Sequence, residues 1–157
     1  MNYTTEKIVE SGVEYEVDVY SNGNKEWYQN GKRHRTDGPA AEYAFGFREW
    51  WVHGKRHRTD GPAVERANGY KEWFQNGKLH REDGPAVEFV DGEKYWFQNG
   101  KQHRTDGPAV EYENGYKEWW IDDKQLSEKE FLKQTTKELT VKEIEDLLGY
   151  SVKIIKG

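Results

Sequence analysis

The chain has 157 residues, no cysteine, a formal net charge of -5, and equal shares of hydrophobic and charged residues at 34% each. A mean hydropathy of -1.17 leaves little for a large aliphatic core, yet 15% of the residues are aromatic, too many for a disordered chain. The acidic balance argues against duplex nucleic acid or an anionic membrane as partner, and the missing cysteines exclude disulfides and thiolate metal sites.

In chain order, MNYTTEKIVE has no apolar core of a secretion signal, and nowhere do 18 apolar residues run together. No signal and no membrane span are therefore expected, and the protein is placed in the cytoplasm. VEYEVDVY, residues 13–20, alternates strictly and predicts the first strand of the first copy, which lacks the later D-G-P-A. From there a 23-residue period governs residues 1–123 as five copies of a β-hairpin unit. Gly23, Gly46, Gly69, Gly92 and Gly115 mark it without an insertion. Trp27, Trp50, Trp73, Trp96 and Trp119 form one column, followed by Tyr28, Trp51, Phe74, Phe97 and Trp120. A second glycine column, Gly31, Gly54, Gly77 and Gly100, ends at Asp123. His34, His57, His80 and His103 each precede an arginine (Arg35, Arg58, Arg81, Arg104) and then D-G-P-A, which holds every proline of the chain.

Within one copy, PAVEF (85–89), a glycine turn and EKYWFQ (93–98) predict strand, turn, strand. Asn-Gly at Asn30, Asn76 and Asn99 supplies the positive φ of tight hairpin turns. Side chains alternate across a strand, so the two aromatic columns fall on opposite faces. After Asp123 the period becomes helical. Ser127 with Glu130 and Thr140 with Glu143 are capping boxes, with Leu126/Phe131 and Leu139/Ile144 as hydrophobic staples. They predict helices over 128–137 and 141–148, with Gly149 as C-cap and YSVKII (150–155) as a further strand. Residues 124–157 are thus expected to form a helical cap on the stack. The fold class is mainly β, an elongated stack of antiparallel hairpins with a small α-helical C-terminal cap.

Three features carry the candidate chemistry. The histidine column invites a metal, but two strands per copy space neighbouring imidazoles roughly 10 Å apart, against about 2.0 to 2.1 Å from donor to zinc. No metal or other cofactor is expected, and His, Arg and Asp are read as a hydrogen-bonded ladder across the junctions. The basic edge, Lys32, Arg33 and Arg35, then Lys55, Arg56 and Arg58, thinning to Lys78 and Arg81 and to Lys101 and Arg104, is a candidate stripe for an anionic ligand. Against it, residues 14–123 hold 16 basic and 21 acidic residues, a balance of -5. The tryptophans, Trp27, Trp50, Trp51, Trp73, Trp96, Trp119 and Trp120, stabilise sheets in the ordinary way and can also line a binding groove. His53, Arg66 and Tyr95 break their columns. No catalytic motif is present, and copies strung along a stack do not converge on one site, so no enzyme is expected.

NGKRHRTDGPAAEYAFGFREWWVHGKRHR, residues 30–58, resembles the MORN-type repeat, a 23-residue hairpin with N-G-K-x-H before a strand and an aromatic pair after the next glycine. The resemblance covers residues 14–123 and departs after the histidine, where Arg, Thr or Glu and D-G-P-A stand in place of glycine. The H-R-x-D-G-P-A variant is similar to repeats in proteins of large bacteriophages and giant viruses, the ending LTVKEIEDLLGYSVKIIKG is similar to tails of small phage-encoded proteins, and the paired aromatics are similar to bacterial cell-wall-binding repeats. The resemblance implies a phage-encoded binding protein that engages a host macromolecule, such as a defence component, through one aromatic and charged face. Its alternatives are a sponge for an anionic nucleotide signal and a binder of cell-wall glycan or choline. An open sheet edge or an uncovered aromatic face also invites a homodimer.

Overall fold

The computed structural model describes residues 2–136, 141–149 and 151. It is mainly β and holds one large antiparallel sheet. An opening hairpin, β1 (Tyr3–Glu10) and β2 (Val13–Tyr20), leads into β3 (Lys25–Gln29), β4 (Lys32–Arg33) and β5 (Ala41–Glu42). The second copy continues with β6 (Arg48–Glu49), β7 (Trp51–Val52), β8 (Lys55–Arg56) and β9 (Val64–Glu65). The third gives β10 (Lys71–Glu72), β11 (Phe74–Gln75), β12 (Lys78–Leu79) and β13 (Val87–Glu88). The fourth gives β14 (Lys94–Tyr95), β15 (Phe97–Gln98), β16 (Lys101–Gln102) and β17 (Val110–Glu111). β18 (Lys117–Ile121), β19 (Lys124–Leu126), α1 (Glu128–Thr135) and α2 (Val141–Leu148) follow. The main sheet runs β1-β2-β3-β5-β6-β9-β10-β13-β14-β17-β18-β19, while β7–β8, β11–β12 and β15–β16 form separate small hairpins and β4 pairs with β3.

β1 was not expected from the sequence. It pairs along its whole length with β2 across the Ser11-Gly12 turn. The long strand expected over 93–98 is also divided at the tryptophan. There the backbone serves two ladders: the N–H of Trp50 donates to the carbonyl of Ala63 (2.8 Å), and its carbonyl accepts from His57 (3.0 Å). The chain thus leaves the main sheet at Trp50, Trp73 and Trp96 and enters the small hairpin, whereas β3 and β18 run unbroken through Trp27 and Trp119. Successive small hairpins join through single bonds, such as Arg35 N–H to Trp51 O and Gly54 N–H to Arg33 O. Asn30, Asn76 and Asn99 hold φ near 52° at these turns, with His53 and Asp122 in the equivalent places.

Register sets the two faces of the sheet. Lys25, Glu42, Arg48, Glu65, Lys71, Glu88, Lys94, Glu111 and Lys117 stand side by side, alternating in sign across nine strands, which favours this pairing over slipped ones. Their chain neighbours, Glu26, Ala41, Glu49, Val64, Glu72, Val87, Tyr95, Val110 and Glu118, lie on the opposite face. The core is thin. Ala40, Ala63, Ala86 and Ala109 are fully buried on the tryptophan side, Val64, Val87 and Val110 are buried on the other, and Tyr15, Val17 and Trp27 cluster at the N-terminal end.

At the C-terminal end α1 packs on β18 and β19, burying Leu126 and Phe131. Ser127 and Glu130 close the expected capping box. Gly149 ends α2 with φ 72° and donates to the carbonyl of Glu145. The Thr140 and Leu139 contacts, and the strand expected over 150–155 apart from Ser151, lie outside the described residues. No helix among those described is long and apolar enough to cross a membrane.

Candidate functional site

The arginine that follows each histidine folds back over the tryptophan eight residues before it. The guanidinium carbon lies 4.2, 4.0, 4.0 and 4.1 Å from the ring centroid for Arg35 on Trp27, Arg58 on Trp50, Arg81 on Trp73 and Arg104 on Trp96. Each of the last three is held in one way. In Arg58, Nε donates to Asp60 (2.9 Å) and Nη1 to the carbonyl of Pro62 (3.1 Å) and to Glu65 (3.0 Å). Arg81 and Arg104 repeat the set with Asp83, Pro85 and Glu88, and with Asp106, Pro108 and Glu111. Arg35 replaces part of it with Glu10 from the opening hairpin. The glycine of D-G-P-A is explained by this contact, since a Cβ on Gly61 would lie 2.9 Å from Cζ of Arg58. The arginine bonds hold the carboxyls of Asp60, Asp83 and Asp106 below the usual carboxylate range.

Histidine makes the next link. Nδ1 of His34, His57, His80 and His103 accepts the backbone N–H of His53, Asn76, Asn99 and Asp122, the left-handed turn residue of the following copy, at 3.0 to 3.3 Å. The ladder is therefore two ladders, Arg with Asp inside a copy and His with a turn amide between copies. Nδ1 of His103 also lies 3.2 Å from the Asp122 carboxylate, so the link made by Nδ1 acting only as an acceptor is clearest at His34. Burial, then the charge of nearby His53, hold His34 below its ordinary value. Among the described residues no group of three or more His, Asp or Glu is placed to hold a metal.

Between successive H-R-x-D-G-P-A loops lie three equivalent open grooves of about 550, 500 and 630 Å3. The first runs from Arg35, Asp37 and Pro39 to Trp50, His57 and Arg58. The second and third repeat it one copy along, with Trp73, His80 and Arg81, and with Trp96, His103 and Arg104. Among the described residues the indole N–H groups of Trp50, Trp73 and Trp96 have no protein acceptor, while those of Trp51 and Trp120 donate to Glu49 and Glu118. No family model, no curated protein and no solved structure matches this chain. The grooves must be read from their own chemistry.

The other expected site residues are scattered. Trp27 and His34 are buried and lie outside these three grooves. Trp119 lines a separate hollow with Leu126 and Ser127. Trp51 and Trp120 face the opposite side of the sheet, as does Arg33, which reaches Glu26 (2.7 Å) and Glu49 (3.6 Å). Burial pushes the Glu26 carboxyl up, but bonds from Tyr28 and Arg33 outweigh it and leave the carboxyl below its ordinary value. The basic edge is consequently no single stripe: Arg33 and Arg56 turn to one face and Arg35 and Arg58 to the other, all paired with carboxylates. Thr36, Thr59, Glu82 and Thr105, exposed on the groove walls, were not singled out from the sequence. Their column, the x of H-R-x-D, exchanges Thr for Glu in one copy and so carries no fixed periodic signal.

Proposed function

We propose that this is a non-enzymatic binding protein whose three loop grooves act together on one extended macromolecular partner. The observation that carries the reading is the recurrence of the same shallow, open groove at a spacing of roughly 10 Å, two strand separations. Sites this open enclose little of a small ligand, whereas an extended partner can touch all three and gain from each. The resemblance to phage repeats suggests a host macromolecule in that role. The nucleotide reading has less support, because the arginines it would use are already engaged with Asp, Glu, a proline carbonyl and an indole ring. A glycan would meet the same obstacle on one face of each tryptophan ring.

Thr59 lines the first and second grooves and Glu82 the second and third, so Thr59→Trp and Glu82→Trp fill them from exposed positions. Protein purified from expressing cells, with its bound proteins and heat-released metabolites both identified by mass spectrometry, tests the reading. A macromolecule that falls away in the folded double variant supports it. Retention of that macromolecule by the double variant, or a nucleotide as the only specific companion, refutes it.

A further inference from the structure

The face opposite the grooves carries a second row of rings that belongs to neither tryptophan column. Along the turn edge, Tyr43 stacks on Phe47 (4.9 Å between centroids), Tyr70 meets Phe89 edge-on (5.0 Å), as Tyr95 meets Tyr112 (6.0 Å), and the Phe89–Tyr95 (5.5 Å) and Tyr112–Tyr116 (5.7 Å) pairs are tilted. The row has one gap, between Phe47 and Tyr70, and the chain fills it with a cation. Arg66, in the column of Tyr43, Phe89 and Tyr112, places its guanidinium 5.5 Å from Phe47 and 4.9 Å from Tyr70.

The fourth and fifth copies keep the rings and have no such arginine. Tyr116 is 60% exposed and Phe89 39%, with Val90 at 62% beside them. Two carboxylates stand among these rings: Glu93 accepts from the Tyr95 hydroxyl (2.9 Å), and Glu118 from Tyr112 (3.1 Å) and the Trp120 indole (2.8 Å). Among the described residues neither has a basic partner, because the nearest lysines in the chain, Lys94 and Lys117, belong to the charge row on the opposite face. In the first two copies Glu26 and Glu49, which share the column of Glu118, are paired with Arg33 and Arg56. At those arginine positions the third and fourth copies carry Leu79 and Gln102.

We propose that the ring edge of the fourth and fifth copies, Phe89, Tyr95, Tyr112 and Tyr116 with Glu93 and Glu118, is a docking surface for an arginine-bearing polypeptide segment of a partner protein. Arg66 shows the mode within the chain itself: a planar cation laid on half-exposed rings. Arginine is favoured over lysine because its guanidinium stacks on a ring while its N–H fork reaches a carboxylate. This surface is independent of the grooves, so either can fail alone.

The test is fluorescence polarisation of a labelled arginine-rich peptide against the full chain at physiological salt, with a lysine peptide of equal charge beside it. The wild type should bind the arginine peptide more tightly than the lysine one. Tyr116→Ala and Glu93→Gln should each weaken it by ~10-fold, while Glu6→Gln, exposed on the opening hairpin, should not. No binding, equal binding of the two peptides, or equal loss in Glu6→Gln overturns the proposal. So does sedimentation showing a dimer that Tyr116→Ala converts to monomer, since the edge would then be covered by a second copy.

Discussion

Substituting Gly61 by alanine should act through Arg58 alone, and its sign should depend on whether that arginine is present. Gly61 does not need a positive φ, so an alanine fits its backbone, but the new Cβ would lie 2.9 Å from Cζ of Arg58. The guanidinium must move off Trp50, 4.0 Å away, and strain its bond to the Pro62 carbonyl. The stacking is worth about 1 kcal/mol and the charged hydrogen bond about 1.5 kcal/mol. The Asp60 side chain is 81% exposed, so its ion pair adds almost nothing, and the Glu65 pair adds less than about 1 kcal/mol. Arg58→Ala should therefore cost about 2 to 3 kcal/mol and Gly61→Ala about 1 to 2 kcal/mol. In the Arg58→Ala background, Gly61→Ala should cost nothing and gain up to about 1 kcal/mol from a less flexible unfolded chain. Urea unfolding of the four proteins by circular dichroism closes the cycle. Additive costs would refute the reasoning, because they would mean that Gly61 is needed for something other than the arginine.

Two further perturbations probe the junctions. His34 has its pKa lowered by burial and by His53, so the unfolded chain takes up a proton from about pH 6.5 downward while the folded chain resists it. Its contribution is complete above about pH 6.5 and is lost as pH falls, by at most about 1.4 kcal/mol per pH unit. Urea midpoints at pH 7.5 and 5.5 should diverge more for wild type than for His34→Gln, and equal divergence would contradict the assignment. Asn99 holds φ 53°, so Asn99→Ala should cost about 1 to 2 kcal/mol while Asn99→Gly stays within a few tenths. Thermal melts of the two variants compare them directly.

Much of this architecture could be read from the period. Columns of glycine, tryptophan and D-G-P-A at a fixed spacing specify a repeated hairpin, and Asn-Gly specifies its turn, because both are local rules. β2 was legible from its alternation, while β1 was not, since Tyr3 to Lys7 are exposed and polar residues dominate them. The break at Trp50, Trp73 and Trp96 depends on which ladder the N–H joins, and no local pattern encodes that. The stacking of Arg58 on Trp50 likewise follows from the path of the loop between them. Hence the arginines looked available for a ligand in the sequence and are engaged in the fold. The ring row of the turn edge is periodic too, but Arg66 and the exchanged positions of Glu93 and Tyr95 hide it until the contacts are seen.

The central claim is that the three grooves work as one extended site. The most direct measurement is recovery of co-purifying macromolecules across a graded series: wild type, Thr36→Trp filling the first groove, Thr59→Trp filling the first and second, and Thr59→Trp with Glu82→Trp filling all three. Recovery of one specific partner should decline step by step along the series while circular dichroism stays unchanged. Undiminished recovery with all three grooves filled would contradict it.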